Sequence, residues 1–178
     1  EWNQPGVDVK WMRPLDQRIV YQLLDEERRM AFIRSLGQMV DKLPPSETLV
    51  TVLLALGETR QAMEMALAVA KKWMDQQKVL KSLGLLDEVV SALRNHPDLD
   101  RVSSGRLHLM HADCLMRIRP TDPGLSRSIS VARSLANKQV TLANIELLQA
   151  RLHRQLGHFP GFRKYVQRAW EHVYELDD

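Results

Sequence analysis

Cysteine is nearly absent from this chain. Cys114 is the only one in 178 residues, so no disulfide can form within the chain, and the composition fits a reducing, cytoplasmic compartment. Aromatic residues make up only 6% of the sequence, and no stretch alternates apolar and polar residues in the manner of a strand, which points away from sheet folds. Nowhere do eighteen apolar residues run together, so no segment is expected to cross a membrane. The basic-then-apolar layout of a secretory leader is missing, and the first residue is Glu1 rather than methionine, which reads as a fragment or a processed form. No glycine-rich phosphate loop, HExxH or GxSxG motif is present. The acids at Asp25, Glu26 and Glu27 and at Asp87 and Glu88 are adjacent in sequence, without the separation that paired acid–base catalysis across a cleft requires. The expectation is therefore no catalytic residue, no cofactor and no enzyme. Charge of one sign is also lacking in excess. Lysine and arginine total 25 against 22 acids, interleaved along the chain. That leaves no polybasic tail for nucleic acid or lipid.

What is there is helical periodicity punctuated by proline and glycine. Residues 1–14 hold two prolines, a glycine and two tryptophans and read as an extended lead-in or linker. Residues 15–178 read as one helical domain. Its apolar spacing predicts helices over 15–42 (with a break or close contact at Gly37), 47–56, 59–74, 78–95, 103–118, 123–136, 139–156 and 160–175. Pro44 and Pro45 end the first of these and Ser46 caps the second. Ser103 and Ser104 are expected to cap the helix at 103, and the RPTDPG turn at 119–124 is the most irregular connection.

The stretch 142–170 shows the pattern best. Leu148, Leu152 and Leu156 form one stripe, Gly157 stops the helix, and Phe159, Phe162, Val166, Ala169 and Val173 recur at threes and fours. Ala150, Gly157, Phe162, Val166 and Ala169 stand seven, five, four and three residues apart. That order of spacing and size resembles the tetratricopeptide repeat. Gly57, Ala62, Ala66 and Val69 repeat the same offsets, and Ala112, Leu125, Ile129 and Ala132 follow them after a longer turn. The tryptophan, leucine–glycine and tyrosine signatures of the repeat are replaced here by other residues. The resemblance implies an all-α fold of antiparallel helix pairs stacked as a right-handed solenoid of about eight helices. The helix at 78–95 has no evident mate in that scheme.

The same resemblance implies a protein–protein interaction module, a scaffold, adaptor or assembly unit that takes a partner helix or peptide in a concave groove. Carried onto this sequence, the groove positions are Arg106, Asp113 and Arg117 on one helix, and Asn144, Arg151, Arg154 and Gln155 on another. The four arginines would fork onto a partner's carboxylates, or pair with Asp113, Glu146 and other acids of the chain itself. The lysine–asparagine carboxylate clamp of chaperone-binding repeats is not reproduced. Self-association, or a regulatory or oligomerisation region of a larger transcription or signalling protein, is the alternative. His108, His111 and Cys114 have the composition of a zinc set, but steps of three residues spread them about 120° around a helix. They are expected to be packed or hydrogen-bonded residues instead, and no metal is expected.

Overall fold

The computed structural model describes residues 25–39, 43–94 and 101–174. The chain divides into two compact units, Glu1–Lys42 and Leu43–Asp178. Within the first lies α1 (Glu26–Met39), whose start is capped by Asp25, a carboxylate oxygen of which accepts the Arg28 N–H at 2.8 Å. Gly37 neither breaks nor ends this helix, which removes the first of the two expectations for it. One glycine in a helix costs only about 1 kcal/mol, which the rest of the helix absorbs. The predicted lead-in at 1–14 lies outside the described residues, as do 15–24.

The second unit holds seven helices among its described residues: α2 (Glu47–Ala55), α3 (Thr59–Asp75), α4 (Val79–Leu93), α5 (Arg101–Ile118), α6 (Pro123–Leu135), α7 (Gln139–Gln155) and α8 (Phe159–Tyr174). No strand occurs among the described residues. Neighbours in sequence pack together, most extensively α5 with α6 and α7 with α8. The helix without a mate, α4, packs against both α3 and α5. This explains why α3 is buried on two sides. Ala62, Ala66 and Val69 are enclosed as the stripe predicts, and Met63, Leu67 and Ala70 are enclosed beside them.

Chain reversals are built from local chemistry. Ser46 accepts the Leu49 N–H through Oγ at 3.4 Å, and Asp122 accepts the Gly124 N–H at 2.7 Å, with Pro123 opening α6. The 119–124 connection is thus a capped turn. The turns α2–α3, α3–α4 and α7–α8 share one device. In each, the residue after the turn donates to the carbonyl five residues back: Glu58 to Leu53 at 2.9 Å, Lys78 to Trp73 at 2.8 Å and His158 to His153 at 2.8 Å. The residue before each donor is left-handed: Gly57 at φ 76°, Gln77 at 60° and Gly157 at 72°.

Two expectations need correction. Ser103 and Ser104 do not cap α5, which begins at Arg101. Both are buried in its second half-turn. Beside them Gly105 lies so near α6 that a Cβ there would meet the Leu135 Cβ at 3.4 Å. Small residues are needed here for close helix approach, and that need overrides capping chemistry. The last apolar stripe is also only half enclosed. Ala169 is 4% exposed, whereas Phe159 stands at 61% and Val173 at 42%.

The core runs continuously from Val50 of α2 to Leu148 of α7, through Leu83 and Leu86 of α4 and Leu107 and Leu115 of α5. All of Ala112, Leu125, Ile129, Ala132 and Ala150, the small and branched positions of the repeat pattern, are within it or beside it and are buried.

Candidate partner-binding surface

The seven predicted contact residues fall on α5 and α7. Arg106, Asp113 and Arg117 are separated by seven and four residues, and Asn144, Arg151 and Gln155 repeat that spacing. Offsets of seven and eleven return to within about 20° of the starting direction on a helix, so each trio is a single stripe. Arg154 lies about 80° off its own stripe. All are exposed except Asp113, which is partly enclosed.

The two stripes meet at Asp113. Its Oδ2 receives Arg117 Nη2 at 2.9 Å along the helix, while Arg151 Nη1 of α7 lies 3.9 Å from Oδ1. That second oxygen is buried and has no hydrogen-bond partner. Arg151 is therefore close enough to feel the charge and too far to donate to it, with its side chain 63% exposed. The structure thus brings Asp113, Arg117 and Arg151 together. It leaves Arg106 and Arg154 without an ion pair among the described residues, and Arg106 reaches a separate small cavity of about 220 Å³ with Lys138 and Thr141. Chemically the strip is a row of guanidinium groups around one carboxylate, which Arg117 pairs and which leaves the others in excess. Such a row favours incoming carboxylates, which a planar fork can bind through two parallel hydrogen bonds.

Glu146 behaves differently from Asp113. It is 4% exposed and pairs with Arg133 of α6, Nη2 to Oε1 at 2.9 Å. The second reading of the arginines, that acids of the chain take them up, holds for Arg117 at Asp113. Glu146 is taken by Arg133, a residue the sequence reading did not single out.

The histidines are packed. His111 is 5% exposed, with Nδ1 2.8 Å from Ser128 Oγ on α6 and Nε2 2.7 Å from Asp87 Oδ1 on α4. These three residues have the composition of a nucleophilic triad with the wrong disposition. The hydroxyl is buried and the carboxylate open, whereas a triad needs an accessible hydroxyl and a sheltered acid. The arrangement is a strut that holds α4, α5 and α6 in register. One turn earlier, His108 has a buried Nδ1 with no hydrogen-bond partner. Burial first, and then His111, lowers its pKa to about 4. It lines a second cavity of about 220 Å³ with Arg94, Ser104 and Arg127.

Cys114 points elsewhere. It is buried, its Sγ lies 3.5 Å from Met74 Sδ, and burial first, then the charge of Asp113, pushes its thiol up to about 12. Cys114 therefore diverges from His108 and His111, which line one cavity together. Among the described residues no three His, Cys, Asp or Glu side chains gather in a metal-binding group, and no helix is long and apolar enough to cross a membrane. Comparison with models of known protein families finds no match for the chain, and comparison with curated protein sequences finds none.

Proposed function

We propose that this chain is a tetratricopeptide-like interaction module whose helix pairs stack as a right-handed solenoid. In this reading α5 and α7 line the concave groove, and an acidic helix or peptide of a partner protein lies across it. The observation that carries the reading is the pair of equally spaced polar stripes drawn together at Asp113 and Arg151. Enclosed core side chains do not explain six polar residues, five of them exposed, at matching offsets on two neighbouring helices, whereas a shared ligand does. The excess of guanidinium over carboxylate on the strip sets the sign of the partner. Arg117 is oriented in advance by Asp113, which lowers the entropy lost when it grips a second carboxylate.

The test is selection from a displayed library of random peptides, read by sequencing. Enrichment of acidic peptides on the wild type, absent from a folded variant reversed at Arg151 and Arg154, supports the groove. Selection of no peptide, or of peptides indifferent to the reversal, removes it. A second reading, as a regulatory or oligomerisation region of a larger transcription or signalling protein, draws on a different feature, the open apolar edge of α8.

A further inference from the structure

Helix α8 is amphipathic and leaves much of its apolar face uncovered. Gly161 and Ala169 are its buried residues, turned toward α7. Phe159 is 61% exposed, Val166 39%, Trp170 62%, Val173 42% and Tyr174 62%. At 3.6 residues per turn these five fall in one sector about 100° wide, with Arg163 the one charged residue inside it. Trp170 and Tyr174 touch edge to face, with ring centroids 5.4 Å apart, so the exposed rings form an ordered ridge. Leu156, 56% exposed at the end of α7, extends it past the turn. Scattered exposed apolar side chains are ordinary; an aligned run of five along one helix marks an interaction surface.

Charge along the same helix identifies what fits there. Arg163, Lys164 and Arg168 lie in its first ten residues, and Glu171 is the acid in the remainder. The sequence then continues with Glu175, Asp177 and Asp178. A helix basic at its start and acidic toward its end is complementary to a copy of itself running the other way. In an antiparallel pair centred near Gln167, Arg163 of each copy stands opposite Glu171 of the other. A two-fold axis also puts both residues on the same flank of the seam, within reach of each other. Arg163 makes no ion pair among the described residues, and Glu171 holds only Gln167, at 3.1 Å.

We infer that α8 is an isologous interface through which two copies of this chain associate, antiparallel, along the Phe159–Trp170 ridge. The interface is distinct from the α5–α7 groove and leaves that groove free. Its seam is apolar around Trp170, with the Arg163–Glu171 pairs crossing it about one turn to either side of the centre and Phe159 and Tyr174 lying beyond them. A patch one helix long lies at the small end of stable interfaces, so association is expected at micromolar concentrations.

Sedimentation equilibrium of the whole chain over a range of concentrations tests this. The wild type should move from monomer to dimer. Trp170→Glu, at an exposed position, should keep its melting temperature and weaken association about thirtyfold or more, as loss of a central aromatic anchor does. Arg163→Glu alone and Glu171→Arg alone should each weaken the dimer, and the two together should restore it. A wild type that stays monomeric throughout overturns the proposal, as does a dimer that Trp170→Glu leaves intact. A monomer in which the ridge cross-links to residues 1–24 of its own chain assigns the ridge to that segment instead. Failure of the double charge exchange to restore the dimer overturns the antiparallel pairing.

Discussion

Arg133 on α6 and Glu146 on α7 are joined by a 2.9 Å ion pair, and the same guanidinium nitrogen lies 2.8 Å from Gln149 Oε1. The two helices otherwise touch little, so this guanidinium ties the α5–α6 pair to the α7–α8 pair. Because Glu146 is buried, with Oε2 already lacking a partner, Arg133→Met should destabilise by about 2–3 kcal/mol, since it leaves a carboxylate enclosed and unpaired. Adding Glu146→Gln should recover part of that loss. Urea unfolding of the single and double variants measures both. A single-variant loss below about 0.5 kcal/mol would reduce the pair to a surface contact.

His108 should make the fold sensitive to mild acid. Its pKa is lowered from 6.5 to about 4, so the folded chain takes up this proton less readily than the unfolded chain. The corresponding stability is present above pH 6.5 and is lost as the pH falls toward 4. His108→Gln removes the titration. Between about pH 7 and about pH 5 its urea midpoint should fall less than that of the wild type. Equal slopes would mean that His108 is as solvated in the folded chain as in the unfolded one.

The three like turns give opposite expectations at two residues. Gln77 carries a side chain at φ 60° where Gly57 and Gly157 have none. Gln77→Gly should therefore stabilise by about 0.5–1 kcal/mol, and Gly157→Ala should cost about 1 kcal/mol. No atom lies within 4 Å of a Cβ placed on Gly157, so that cost comes from the backbone alone. Thermal melts of the two variants should shift in opposite directions.

Helix positions were legible in the sequence because apolar spacing and glycine or serine at the ends are local signals. Predicted boundaries at 47–56, 59–74, 123–136 and 139–156 agree with α2, α3, α6 and α7 to within one residue at each end. The α3–α4 turn announces itself by no glycine, since Gln77 accepts the left-handed conformation there. Ser103 and Ser104 misled because small residues serve close packing as readily as capping. The stripes on α5 and α7 were legible as offsets, but whether they meet depends on helix docking. Arg133 and Glu146 lie on different helices at no helical spacing, and Asp87, His111 and Ser128 come from three helices, so nothing local marks either group. Periodicity also showed that α8 is amphipathic without saying which part of its apolar face a neighbour covers.

The groove is tested most directly by the affinity of one display-selected acidic peptide for the wild type and for the Arg151→Glu/Arg154→Glu double variant, measured by titration calorimetry. Helical content and melting temperature are followed alongside. The paired stripes predict an unchanged fold, with Arg151 63% exposed at its side chain, and a loss of affinity of about tenfold to a hundredfold. Affinity equal to the wild type in the folded variant would contradict the assignment of α5 and α7 as the partner-binding face.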